Sequence, residues 1–276
     1  MLNCNGRPLD LSVPVVMGIL NVTPDSFSDG GRYIDLDTAT AAARRMAEDG
    51  AAIVDIGGES TRPGAEPVSA QEEMDRVLPV IEALREQLEL PLSIDTSKPE
   101  VMTEAVRAGA GMINDVNALR APGAVETAAA LSVPACLMHM QGEPRTMQQA
   151  PRYTDVVAEV KAFLRQRIRQ CEAAGIPRQH ILVDPGFGFG KTLEHNLALL
   201  RGLSGFCDLG AGVLVGLSRK SMLGMLTGRE AHERLAASIA AAALAVERGA
   251  AVVRVHDVAE TADALAVVNA LTGNPL

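Results

Sequence analysis

Eight short apolar runs, each ending on a polar residue, punctuate this chain, and no other feature restricts its fold so strongly. They cover 13–21, 51–55, 92–95, 112–114, 135–139, 181–184, 213–218 and 252–256. Runs this short and this continuous read as strands covered on both faces. Between them the pattern turns helical, over 38–48, 69–88, 100–108, 155–174 and 234–247. Ser69 and Glu72 have the spacing of a capping box, and Gly50, Gly109, Gly175 and Gly249 stand where C-terminal helix caps belong. The phrases after Asp49 and Arg248 look like one unit repeated, and no Pro/Ser-rich linker divides the chain. These signals predict a single domain over 1–276, an α/β fold of the (β/α)₈ barrel type; a doubly wound open sheet is the alternative.

Composition narrows the partners. The chain has 276 residues, 47% hydrophobic and only 3% aromatic, as expected for small-residue helices packed closely on a sheet. A net charge of -9 argues against nucleic acid or an anionic membrane. Cys4, Cys136, Cys171 and Cys207 show no metal spacing and are expected to be reduced thiols. The first residues lack the apolar core of a signal peptide, and the Ala-rich run 235–246 is too short to span a bilayer. A cytoplasmic location is expected.

The residues ending the eight runs are Asn21, Asp55, Asp95, Asn114, His139, Asp184, Ser218 and His256. In a barrel the C-terminal strand ends share one mouth, so these groups would ring a single site. Two cationic features suggest its ligand. Arg219 and Lys220 sit where a helix should begin, an unfavourable place for positive charge, so they face either a ligand or solvent. Arg254 lies inside the last run, as a structural ion pair or as an anion grip shared with His256. Asp95, Asp184 and Asn114 form no metal motif and suit an amino-substituted nitrogen ring. The run DPGFGFGKT at 184–192 fails as a P-loop, because Pro185 stands where the first glycine is required. It reads as a mobile loop presenting Phe187 and Phe189 as aromatic walls, or as a structural turn.

Longer motifs carry a family likeness. GILNVTPDSFSDGG at 18–31, DIGGESTRPGA at 55–65, SIDTS at 93–97, IND at 113–115, DPGFGFGK at 184–191, SRK at 218–220 and RVH at 254–256 run in the order seen in the dihydropteroate synthases, which the chain resembles over nearly its whole length. The resemblance implies condensation of 6-hydroxymethyl-7,8-dihydropterin diphosphate with 4-aminobenzoate, giving 7,8-dihydropteroate and diphosphate. It also implies that Asp95, Asn114, Asp184 and Lys220 hold the pterin, and that Asn21 ligates Mg²⁺ on the diphosphate. Arg62, Arg254 and His256 would grip the diphosphate oxygens, and Phe27, Thr61, Pro63, Phe189 and Ser218 would line the aminobenzoate site. Asp95, Asp184, Lys220, Arg254 and His256 would carry the chemistry, and the late helices would form a homodimer. A folate-dependent methyltransferase domain would lack the diphosphate grip, and a non-catalytic pterin-binding protein would show no Mg²⁺-dependent turnover.

Overall fold

The computed structural model describes residues 1–23, 36–60, 66–143 and 146–272. Its centre is a closed barrel of eight parallel strands: β3 (Val15–Asn21), β4 (Ile53–Gly57), β5 (Leu92–Asp95), β6 (Met112–Asp115), β7 (Ala135–Met138), β8 (Ile181–Asp184), β9 (Gly212–Val215) and β10 (Ala250–Val255), with β10 pairing back onto β3. The strands are buried on both faces because helices wrap the outside and side chains fill the inside, which is why their sequences are continuously apolar. The open-sheet alternative is thereby excluded.

The described helices are α1 (Leu36–Glu48), α2 (Ala70–Gln87), α3 (Pro99–Ala108), α4 (Ala124–Leu131), α5 (Val156–Ala173), α6 (Leu193–Arg201), α7 (Ser221–Thr227), α8 (Leu235–Glu247) and α9 (Val258–Thr272). Ser69 accepts a hydrogen bond from the Glu72 backbone N–H, half of the expected capping box. Asp155 caps α5 by accepting from the N–H groups of Val157 and Ala158. Gly50, Gly109, Gly175 and Gly249 all take positive φ, between 95° and 133°, as the helix-ending role requires.

Sequence periodicity did not reveal a hairpin, β1 (Leu2–Cys4) and β2 (Arg7–Leu9), turning at Asn5-Gly6 with φ of 54° and 88°. Its Leu2, Cys4 and Leu9 pack on Met17, Ile53, Met112, Cys136, Leu182, Leu214 and Val252, which come from seven of the eight barrel strands. Asn5 donates to the carbonyls of Val106 and Ala110, and Arg7 to that of Leu90, fastening the plug. The floor is closed, so ligands reach the barrel from the opposite, C-terminal end of the strands.

Candidate active site

The polar strand ends do converge, although not all terminate their strands. Asn21, Asp95 and Asp184 are last residues, whereas β4 continues to Gly57 and leaves Asp55 inside the barrel, fully buried. His139 and His256 lie one residue past β7 and β10, and Ser218 lies three past β9. Asn21, Gly57 and Asp95 are level across β3, β4 and β5. A Cβ on Gly57 would sit 3.6 Å from both Asn21 Oδ1 and Asp95 Cβ, so a bare glycine leaves those two side chains close together.

Arg254 reaches across this layer. Its Nε donates to Asp55 Oδ2 at 2.5 Å and its Nη2 to Asp95 Oδ2 at 2.8 Å, so the ion-pair reading describes its contacts. Burial works against the charge on Arg254, but the carboxylates of Asp55 and Asp95 outweigh it and its pKa is raised. Asp55 Oδ2 also accepts from Asn114 Nδ2 at 2.9 Å. Burial pushes Asp95 up to about 7 against the pull of Arg254, with Asp55 and Asp115 adding repulsion. Ser218 Oγ and His256 Nδ1 lie 3.0 Å apart.

The run after β8 forms the opposite wall, and it is tied down rather than a mobile loop. Gly186 has φ +71°, and a Cβ there would lie 1.9 Å from the His139 carbonyl oxygen, so only glycine fits. The Gly186 N–H donates to Asp184 Oδ1 at 2.7 Å. Lys191 is buried and donates from Nζ to the carbonyls of Gly186 and Phe189 at 2.9 and 3.0 Å, with His139 Nδ1 also 3.0 Å away. Burial, helped by Lys191, takes His139 down to about 3, so its neutral ring can accept. Lys191 itself is taken down to about 7 by burial.

Only one of the two expected aromatic walls is present. Phe189 packs on Met138, Met140 and Met147 and carries Lys220 Nζ 4.1 Å above its ring, but Phe187 is buried in the main core. The adjacent cations also divide. Arg219, at φ +57°, turns outward to Asp257, with Nε 3.1 Å from Oδ2, whereas Lys220 faces Asp184 electrostatically. Burial takes Lys220 down to about 8 and Asp184 up to about 6, each opposed by the other. Phe27, Thr61, Arg62 and Pro63 lie outside the described residues. Sequence reasoning gave no role to Asp55, Lys191 or His139, although two of them were visible as residues ending apolar runs.

The result is a mouth with carboxylate and amide groups on one wall and a lysine over an aromatic ring on the other. It can bind a flat ring rich in N–H donors and ring acceptors. Among the described residues no cluster of three or more His, Cys, Asp or Glu could cage a metal. Asn21 offers a hard oxygen at the rim, which fits Mg²⁺ bound through one protein ligand together with substrate phosphates and water.

Known proteins agree with this geometry. A family model described as "Pterin binding enzyme" matches residues 17–256. The dihydropteroate synthase of Escherichia coli strain K12 is 54% identical over 269 residues, covering 98% of this chain and 95% of that protein. A structure of Xanthomonas albilineans dihydropteroate synthase with 4-aminobenzoic acid is 57% identical, with a TM-score of 0.93 and coverage of 99% and 98% of the two chains. Another from the same organism, in complex with 7,8-dihydropteroate, is 55% identical with a TM-score of 0.90, covering 99% of each chain. With a matching barrel, matching length and more than half its residues shared, the chain belongs to the dihydropteroate synthases of the pterin binding enzyme family.

Proposed function

We propose that this mouth joins a pterin to an arylamine as the family does, converting 6-hydroxymethyl-7,8-dihydropterin diphosphate and 4-aminobenzoate into 7,8-dihydropteroate and diphosphate. The observation that carries the residue assignment is Lys220 and Asp184 facing Asp95 and Asn114 across one opening, a frame of charge and hydrogen-bond partners for the pterin ring. Asp95, Asn114, Asp184 and Lys220 hold that ring. Arg254 and His256, with Arg62, bind the diphosphate, and Asn21 is the protein ligand for Mg²⁺. Phe189 and Ser218, with Phe27, Thr61 and Pro63, border the aminobenzoate.

The residues act by charge placement, and no side chain is needed as a nucleophile. Buried Asp95 and Asp184 favour positive charge on the pterin as its methylene carbon loses diphosphate. Arg254 and His256 receive the departing negative charge. Mg²⁺, when bound, supplies further charge neutralisation on the diphosphate oxygens. The amine of 4-aminobenzoate then adds to a carbon already electron-poor and gives up one N–H proton to the released diphosphate, while water is kept away by the closed floor and the packed wall at Phe189. The test follows dihydropteroate and diphosphate together, with Mg²⁺ and with chelator. Coupled release that chelator abolishes is expected; turnover surviving chelation sinks the Mg²⁺ assignment. Positional isotope exchange in the diphosphate without aminobenzoate is expected for the stepwise order, and its absence would overturn that order.

The assembly proposed is a homodimer through the late helices. Met225 and Leu226 on α7, Leu235 and Leu244 on α8, and Val267 and Leu271 on α9 expose large apolar side chains, the kind of surface a partner copy covers. A solution mass near twice the 29.0 kDa chain is expected, and a 29.0 kDa species at assay concentration would overturn it. The four cysteines are free, which supports a reducing, cytoplasmic setting; no described helix is long and apolar enough to cross a membrane.

A further inference from the structure

Asp55 has no role in binding or chemistry in the assignments above, yet its carboxylate touches two of the residues that do. One oxygen, Oδ2, accepts from Asn114 Nδ2 at 2.9 Å and from Arg254 Nε at 2.5 Å. The other, Oδ1, is buried with no hydrogen-bond partner among the described residues. An unpaired buried carboxylate oxygen is destabilising, so packing alone does not account for an aspartate here. The geometry does have one definite consequence. A carboxylate paired with a guanidinium only accepts hydrogen bonds, so the end of the Asn114 amide facing Asp55 must be the NH₂. Its carbonyl oxygen therefore points away from Asp55.

We infer that Asp55 is a positioning residue that fixes the polarity of the Asn114 amide, so that position 114 presents an acceptor and selects a ring N–H on the bound pterin. The inference rests on the pterin lying against Asn114, as proposed above. Without Asp55 the amide is free to turn over, and a donor then meets a ring donor in half of its orientations. The anchoring carboxylate lies inside β4, two strands away from β6, so a turn of the Asn114 amide within its own strand cannot recover the contact.

The test uses 6-hydroxymethylpterin, which lacks diphosphate and so does not call on Arg254. Its affinity is measured by calorimetry for the full chain and for Asp55→Leu, Asn114→Ala and the two together. Leucine removes the one oxygen that accepts from Asn114, which an asparagine carbonyl could replace. Asp55→Leu is expected to weaken binding about tenfold or more, the cost of one mismatched buried hydrogen bond, and to add little once Asn114 is alanine. Wild-type affinity in Asp55→Leu overturns the inference, as does an equal loss with and without Asn114, which a change of charge or packing alone would give. Wild-type affinity in Asn114→Ala instead removes the pterin from Asn114, a separate result that takes the inference with it. Side-chain amide NMR of the unaltered protein reads the same point without any variant. The Asn114 NH₂ protons should stay protected and nearly unshifted when 6-hydroxymethylpterin binds; a direct coupling from them to a ring nitrogen overturns the inference.

Discussion

Arg254→Met is expected to destabilise the protein by about 3–5 kcal/mol near pH 8, as removing one partner of a buried ion pair does, and to abolish most turnover. The guanidinium stands between Asp55 and Asp95, with its side chain 19% exposed and theirs 0% and 13%. Methionine fills the volume but leaves two carboxylates facing each other. The loss should shrink as pH falls. Asp95 is already held above the ordinary carboxylate range by burial, and without Arg254 it rises further. A carboxyl whose folded pKa exceeds its unfolded one binds more protons folded than unfolded, so its contribution to stability is full below the unfolded pKa and is lost as pH rises through the folded one. For Asp95 of the intact protein that window runs from about 4, the unfolded carboxyl, to about 7, and in the variant its upper end lies higher. Chemical denaturation at pH 5 and pH 8 checks this: a variant equally destabilised at both would show that Asp95 does not take up the proton.

Lys220→Ala should lower kcat/KM by about 10³-fold, since truncating one member of a buried charge pair costs on the order of 2–5 kcal/mol. The ammonium lies over Phe189 and opposes the burial of Asp184, so its removal strips the wall of its cation and leaves the carboxyl less stabilised. Asp184 should then titrate above its present value of about 6. Because the site needs that carboxylate ionised, the acid limb of the pH–rate profile should move to higher pH. A rate loss with an unmoved acid limb would mean that Lys220 acts only on the substrate, and a mild loss would mean that its charge is not used in turnover.

What the sequence disclosed follows from which physical signals are local. Strands covered on both faces must be apolar throughout, so the eight runs and their convergence were readable from patterning. The mouth was readable too, because polar residues at the ends of such runs have few other places to go. Helix α4, which is half alanine, and the two-turn α7 gave little periodicity to find. The hairpin's Asn-Gly turn was present, but three residues on either side are too few to alternate.

The site residues were less legible where neighbours look alike. Arg219 and Lys220 are adjacent cations, and only the left-handed backbone at Arg219 sends one outward and the other inward. Phe187 and Phe189 differ in the same way, one turned into the core and one into the mouth. Asp55 was masked by the two further strand residues beyond it, and Lys191 by its place in a failed nucleotide-loop pattern. For Asp55 the deciding contacts, with Asn114 and Arg254, come from distant parts of the chain.

The plug at the barrel floor imposes an order on assembly. Its three apolar side chains precede every barrel strand in the chain, but the socket that receives them is completed only by Leu214 and Val252. A segment made before the barrel is therefore among the last to find its place. Until the final strand closes on β3, the hairpin has no complete seat, and the greasy ring that it will cover stays open to chaperones and to other nascent chains.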